Sequence, residues 1–418
     1  MQTILRGFLW MGRCGKYPQS VPGGKKNIIT IMDNYLKIRN FGPVKDAVIE
    51  LKPFLVLIGG QGTGKSTIAK LLTICQDYLW YVNILQNNEH IMAPFKLFNI
   101  HSYFTKHTFI EYKKGSIHII YKDGGFTLTD ERYTDKEDMI NNYAANLMSE
   151  QSRIISVMGL NKDVPYEELF NKNYYLLSAN TRTSLYIPSE RNFAGIFSSF
   201  IASMMLSQVP VPNTLMNYIS YFEKSKNKYP EYKLPFMDIT FQKRQDKEGI
   251  LIKDADGENR LLPLSDCSSG IQSLLPMLMI MDYCIDNKFF RSYVVEEPEQ
   301  NLYPENQYAV LCYLISQINK VENADSHVIT THSPYILSAL NNLMFAYEVG
   351  QSKPEETEAI IPKACWIDAK RIVAYSTDGG IIEPIIDNEL QQIEAERIDG
   401  VSQKMNEQYE RLLDLKIR

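Results

Sequence analysis

The sequence carries few marks of a secreted, metal-clustered, membrane-spanning or broadly basic protein. Its six cysteines (Cys14, Cys75, Cys267, Cys284, Cys312 and Cys365) are scattered through 418 residues with no CxxC and no close pair. That spacing excludes a disulfide framework and a thiolate metal site, and reads as reduced cytosolic thiols. No apolar run approaches the roughly 18 residues of a membrane span, so the expectation is a cytoplasmic chain with no membrane partner. A net charge of −5 denies the whole surface the basic character of a nucleic-acid binder, although a sum says nothing about a local patch. There is no internal repeat, no low-complexity tract and no heptad run long enough for a coiled coil. Residues 1–31 lack any acidic residue while carrying Arg6, Arg13, Lys16, Lys25 and Lys26. Their apolar stretch Phe8–Leu9–Trp10–Met11 is too short for a signal-peptide core. They read as a disordered, non-core extension, with a natural start at Met32.

What is there is an ordinary globular composition, 44% hydrophobic and 22% charged, long enough for two or three domains or for one large α/β domain with insertions. The stretch that organises it runs Leu55–Val56–Leu57–Ile58–Gly59–Gly60–Gln61–Gly62–Thr63–Gly64–Lys65–Ser66–Thr67. A short apolar strand opens into a glycine-rich turn that closes on Lys-Ser and enters a helix, which is the G-x-x-x-x-G-K-[ST] pattern in its required context. Such a turn aims successive N–H groups at one point, and the helix N-terminus adds positive potential, so a polyphosphate binds there. Lys65 is placed to reach the β- and γ-phosphates, and the Ser66 hydroxyl to ligate Mg²⁺.

Before this turn, Tyr35–Ile38 and Ala47–Leu51 read as strands joined through Asn40–Phe41–Gly42–Pro43. After it, the helix is expected to continue to about Leu85. Between about 87 and 185 an antiparallel meander around Ser116–Tyr121 is followed by helical segments near 135–150 and 164–178. Tyr186–Arg191 returns to strand and turn, and Phe193–Met205 reads as a buried helix. Residues of about 207–235 form a proline- and tyrosine-rich insertion, and short strands occupy Phe236–Leu264. Leu390–Leu415 reads as a charge-rich helix on the surface.

A second constellation follows. Tyr293–Val294–Val295 is a buried-strand run that delivers Glu296–Glu297–Pro298–Glu299 at its C-terminal end. Beside a phosphate site, the first carboxylate suits the metal shell, and the second can orient or deprotonate an attacking water. His327–Val328–Ile329–Thr330–Thr331 is another strand, ending in His332–Ser333–Pro334. Parallel strands cluster their C-terminal ends at one crevice, which makes His332 a candidate γ-phosphate contact. Just upstream, Ser268–Ser269–Gly270–Ile271–Gln272 opens a helix and offers a second anion cradle. One triphosphate does not readily use two cradles of one chain, whereas two chains set head to tail share them.

With these residues in place the chain resembles an ABC-type ATPase of the RecF/SMC-like branch, near the AAA-family ATPase domain of the OLD-family nucleases. The resemblance covers about residues 32–350. It makes Gly59, Gly60, Gln61, Gly62, Thr63, Gly64, Lys65, Ser66 and Thr67 the ATP-binding Walker A loop, and Val294–Glu297 the Walker B strand. Ser268, Ser269, Gly270 and Gln272 become a degenerate signature acting in trans, and His332 the switch histidine. Asn301–Leu302 falls at the D-loop, and Tyr186–Arg191 resembles a Pro-x-Glu-Arg segment of this branch. Implied cofactors are ATP and Mg²⁺, the metal held by Ser66 and Glu296, with Glu297, His332 and Lys65 catalytic. The implied fold is an α/β P-loop NTPase with a mixed sheet core, an antiparallel β subdomain and a helical insertion. Residues 32–350 would be the ATPase domain, with arms at about 87–185 and 207–235, and 351–418 would add strands and a helix against it.

Departures from the family pattern are Gln61 where many relatives have Asn, Glu296 for the usual Asp, and Gly42 where Rad50-like relatives carry a phosphate-contacting Arg. No Q-loop residue is assigned. The span from Gly64 to Ser269 argues against a transporter subunit, and no Toprim acidic cluster follows His332. What the resemblance implies is an ATP-driven homodimer or higher oligomer. Its role would be DNA-associated, in repair or phage defence, beside a separately encoded nuclease or effector. The alternative is an ATP-dependent regulatory scaffold acting on proteins without DNA. Lys224, Lys226, Lys228, Lys243 and Arg244 are candidates for a DNA path, against the plainer reading of a solvated loop.

Overall fold

The computed structural model describes residues 32–146, 183–197, 211–244, 247–253, 257–322, 325–387, 389–394 and 405–413. An eleven-stranded sheet organises them. In chain order its strands begin with β1 (Tyr35–Phe41), β2 (Val44–Glu50) and β3 (Phe54–Gly59), followed by the hairpin strands β4 (Phe109–Lys114), β5 (Ile117–Lys122) and β6 (Gly125–Asp130), and then β7 (Ser184–Ile187). Strands β8 (Glu231–Lys233), β9 (Thr240–Arg244), β10 (Lys247–Lys253) and β11 (Asn259–Leu262) form a separate antiparallel sheet. The main sheet is completed by β12 (Ser292–Glu296), β13 (His327–Thr331), β14 (Ile372–Asp378) and β15 (Ile381–Pro384).

The spatial order is β6-β5-β4-β1-β2-β15-β14-β3-β13-β12-β7. Strands β14, β3, β13, β12 and β7 run parallel, while β6-β5-β4-β1-β2 is an antiparallel wing. The parallel strands alternate between two apolar clusters. Phe54 and Val56 of β3 belong to one, Leu55 and Leu57 to the other, and Val295 and Val294 of β12 divide the same way. A period of two with both faces apolar is what a strand covered by helices on both sides requires.

One face carries α1 (Lys65–Cys75) and α2 (Tyr78–Gln86). Where one helix to Leu85 was expected there are two, because the Asp77 side chain accepts the Leu79 N–H at 3.0 Å and caps a new start. Further along the chain lie α3 (Asn192–Phe197) and α4 (Asn213–Lys228). The expected insertion near 207–235 contains α4, and Leu215, Tyr218, Ile219 and Phe222 bury one stripe of it at helical spacing. Residues 136–146 are helical as read, whereas the segment 164–178 and most of Phe193–Met205 lie outside the described residues. The helices α5 (Ser269–Asp286), α6 (Pro304–Ile318) and α7 (Pro334–Gly350) pack with α4 on the opposite face.

The expected helix over Leu390–Leu415 is corrected. Gln392–Ile393 pairs as a short strand with Ile386–Asp387, and Ile393 is buried. Among the described residues helix returns only at 405–413. An apolar Ile393 with somewhere to go outweighs a weak helical pattern.

Candidate nucleotide-binding site

Strand β3 ends at Gly59 and α1 starts at Lys65. Gly64 stands at the helix N-cap with φ +108°, and a Cβ there would come within 2.8 Å of Val44 Cγ2. Only glycine serves this position. The first turn of α1 contains no acidic residue, so its free N–H groups keep their positive potential. Lys65 Nζ donates to the carbonyls of Gly59 and Gly60, each at 2.8 Å. Gly60, Gln61, Gly62 and Ser66 are exposed, while Thr67 is buried behind them. The Thr63 hydroxyl lies 2.9 Å from the Gly60 carbonyl and 2.6 Å from the Thr377 hydroxyl of β14, which in turn donates to Ile58 O at 3.2 Å. A strand from the far end of the chain thus braces the glycine-rich loop.

Strand β12, two places from β3, brings the acidic residues to the same end of the sheet. Burial pushes the Lys65 ammonium below its usual range, and Glu297, Glu296 and Glu299 oppose that shift. The four groups therefore share one electrostatic neighbourhood. Glu296 is buried, and its Oε1 has no hydrogen-bond partner among the described residues. Glu297 is half-exposed, and its backbone adopts a left-handed φ of +45°. Its Oε1 lies 3.2 Å from His332 Nε2. Glu299, for which the sequence suggested no role, accepts the Thr331 hydroxyl at 2.6 Å and the His332 N–H at 2.9 Å through Oε1. Its Oε2 is buried and unpartnered. The third acid of Glu296–Glu297–Pro298–Glu299 was visible in the sequence, but its reach back to β13 was not.

The edge strand β7 contributes at the same level. Ser189 N–H points to Glu296 Oε2 at 3.4 Å, and the fully buried Arg191 donates to the carbonyls of Glu296 and Glu297. The Tyr186 phenol is pushed well above its usual range by burial and by the neighbouring Glu296.

Ser268 and Ser269 are exposed at the start of α5, with Gly270 and Gln272 buried behind them. A Cβ on Gly270 would sit 2.8 Å from Asn301 O, so the serine-glycine turn and the Asn301–Leu302 segment approach at backbone distance. Gln272 Nε2 donates to Ser265 O and Cys267 O, which fixes the loop before the helix. Among the described residues no hydrogen bond joins Ser268 or Ser269 to residues 59–66 of the same chain. The structure therefore brings Lys65, Ser66, Glu296, Glu297 and His332 to one crevice, and leaves the serines facing outward beside Asn301.

The suggested basic path is corrected at Lys226. That ammonium is buried and ion-paired with Glu223 and Glu248, so it faces away from any backbone phosphate. Lys243 is bonded to Asn227, and Arg244 to Gln242. Among the described residues, no helix is long and apolar enough to cross a membrane.

The family described as the AAA ATPase domain matches the chain over residues 32–208 and 212–337. Strand β14 with Thr377 lies beyond that span. No curated protein matches the chain. Solved structures that are similar include an SMC head bound to the C-winged helix domain of ScpA, at 12% identity and a TM-score of 0.38, covering 84% of this chain and 96% of that one. The SMC head domain from Thermotoga maritima gives 12% and 0.37, covering 85% and 99%. An Smc head domain with an extended coiled coil, bound to the C-terminal domain of ScpA from Pyrococcus furiosus, gives 12% and 0.34, covering 89% and 98%.

Proposed function

The chain belongs to the AAA ATPase domain family, and from that premise we propose that it hydrolyses ATP at the crevice between β3, β12 and β13. The observation that carries this reading is the meeting of Lys65, Glu296, Glu297 and His332 at the C-terminal ends of neighbouring parallel strands. Lys65 and the amides of residues 59–67 bind the phosphates. Glu297 accepts the proton of, or orients, the attacking water. His332, 3.2 Å from that carboxylate, holds the γ-phosphate and the glutamate in one geometry. Catalysis of this kind consists mainly of positioning and electrostatic stabilisation.

A hard divalent cation fits the residues present. Among the described residues the buried Glu296 Oε1 has no hydrogen-bond partner and the Ser66 hydroxyl is exposed, an all-oxygen donor set suited to Mg²⁺. When bound, Mg²⁺ neutralises charge developing on the phosphate oxygens.

The outward-facing Ser268 and Ser269, with Gly270 buried behind them, support a second step in this reading. A partner copy contributes them to the triphosphate, so ATP closes a homodimer and hydrolysis opens it. The reading also keeps the ABC-type, RecF/SMC/OLD-like relationship, a cytoplasmic setting and a separate effector protein. A DNA-associated role in repair or defence is its first form. The second form, an ATP-driven scaffold acting on proteins without DNA, is favoured by the burial of Lys226 in an ion pair, which removes one cation from the suggested DNA path. Salt-dependent DNA binding with stimulation of the ATPase separates the two.

The decisive experiment compares wild type with Glu297→Gln for ATP turnover and for oligomeric state with ATP. The expected variant binds ATP, hydrolyses it slowly and accumulates as a dimer. Turnover at the wild-type rate removes Glu297 from the mechanism.

A further inference from the structure

We propose that Arg191 is a positioning residue for hydrolysis, holding the Glu297 backbone in the conformation that aims its carboxylate at the crevice. The inference rests on the proposed role of Glu297. Glu297 is a non-glycine residue at φ +45° and precedes Pro298, a backbone state that side-chain sterics and a following proline both disfavour. Such a state persists only where the surroundings over-determine it.

The surroundings here are specific. The Glu297 N–H donates to Thr330 O at 2.9 Å, and its carbonyl accepts the Gln300 N–H at 2.9 Å together with the Arg191 Nη2 group. Arg191 Nη1 donates to the carbonyl of Glu296 and, at 3.3 Å, to that of Pro188. One planar guanidinium therefore spans the two successive carbonyls of the acidic pair. A fork of fixed donors imposes relative orientation in a way that an ammonium cannot.

Arg191 itself is held from outside the crevice. It closes the turn Ser189–Arg191 at the end of β7, whose register with β12 runs Ser184↔Ser292 to Ile187↔Val295. It is fully buried, so it does not touch nucleotide, and among the described residues its hydrogen bonds go to the backbone carbonyls of Pro188, Glu296 and Glu297. Burial pulls its pKa down, opposed by Tyr218, Glu299, Glu297 and Glu296. A guanidinium enclosed without a bidentate carboxylate is an uneconomical way to fill a core. Two of its three carbonyl contacts fall on Glu296 and Glu297, the residues to which the chemistry is assigned.

The test uses the full chain carrying Arg191→Lys, and separately Arg191→Gln, each checked for cooperative unfolding. ATP affinity and single-turnover hydrolysis are then measured. The expected result is a fall in the hydrolysis rate of about 30- to 100-fold, as for displacement of a reacting group by about 1 Å, with ATP affinity within about threefold of wild type. A merely structural role would lower affinity and rate together. The sharper readout is the pair Arg191→Lys with Glu297→Gln. If Arg191 acts through Glu297, the double variant hydrolyses at the rate of Glu297→Gln alone. Multiplied losses overturn the proposal, as does a wild-type rate in either folded Arg191 variant while Glu297→Gln is slow. A wild-type rate in Glu297→Gln instead defeats the parent reading. Should Arg191→Lys fail to fold, Arg191→Gln supplies the same comparison, and failure of both to fold while Tyr218→Phe folds normally assigns Arg191 to stability and overturns the inference.

Discussion

The two ends of the parallel strands are built to opposite rules. At the N-terminal end polar groups are enclosed and paired. Ser292 Oγ donates to Ser326 O, Thr183 Oγ1 to Gln76 O, and Ser184 Oγ to Gln76 Oε1. Lys114 pairs with Asp325, and His327 Nδ1 accepts the Tyr293 N–H at 3.1 Å while its ring stacks on Tyr293. His327 Nε2 is buried there without a hydrogen-bond partner among the described residues. At the C-terminal end, Glu296 Oε1 and Glu299 Oε2 are buried and unpartnered, and Glu297 is left-handed. Two histidines bracket the same strand, and they show the contrast. His327 is sealed and His332 is exposed against a carboxylate. Two buried carboxylate oxygens without hydrogen-bond partners and a left-handed glutamate thus gather at the end where the proposed nucleotide site lies.

The contrast breaks most visibly at Lys65. Lys65→Ala deletes the cation among three glutamates, and ATP binding should weaken by roughly 100-fold or more, measured with a fluorescent nucleotide. Unfolding midpoints should move little by comparison, since the lysine belongs to neither apolar cluster and its ammonium bonds only to the loop carbonyls of Gly59 and Gly60 among the described residues. Glu297→Gln should leave binding near wild type and slow single-turnover hydrolysis by about 100- to 1,000-fold. Thr377→Val tests whether the bracing strand matters. It removes the hydroxyl shared with Thr63 and Ile58 O, and a loss of about 1 kcal/mol corresponds to roughly fivefold weaker nucleotide binding.

The last effect belongs to the sealed end, leaves nucleotide binding untouched and is read as pH dependence of stability. Burial, with Lys114 and Arg371 nearby, pushes the His327 imidazole down to about 3. The folded chain keeps this ring neutral, while the unfolded chain takes up a proton below about pH 6.5. Its contribution to stability is therefore whole above that pH and is lost as pH falls towards the folded value. The slope is at most about 1.4 kcal/mol per pH unit. Urea denaturation between pH 7 and 5 should show this slope in wild type and a shallower one in His327→Phe. Equal slopes would place the acid sensitivity elsewhere.

Much of this was legible along the chain. A strand, a glycine-rich turn and Lys-Ser are local features, and the free backbone N–H groups of a helix start need no distant partner to form. Strand β12 delivering Glu296 and Glu297, and β13 delivering His332, followed from apolar runs that end in polar residues. The helix break at Asp77 is a local capping choice that periodicity alone overlooked. Arg191 stood within a recognised segment with no role attached, because its hydrogen bonds reach more than a hundred residues along the chain.

Sequence by itself determined which residues form the glycine-rich turn and helix start to which phosphate binding is assigned in the proposal, because glycine conformations and helix-end amides are set within a few positions of one another. Tertiary structure decided which strands lie beside β3. Its neighbours are β13 and β14, the latter drawn from residues 372–378, and nothing local in Ile372–Asp378 announces that Thr377 braces a loop more than three hundred residues earlier. It also decided that Glu299 serves His332 and that Arg191 grips Glu297. Non-local hydrogen bonds form only once the sheet has set its register, so one-dimensional pattern carries no trace of them.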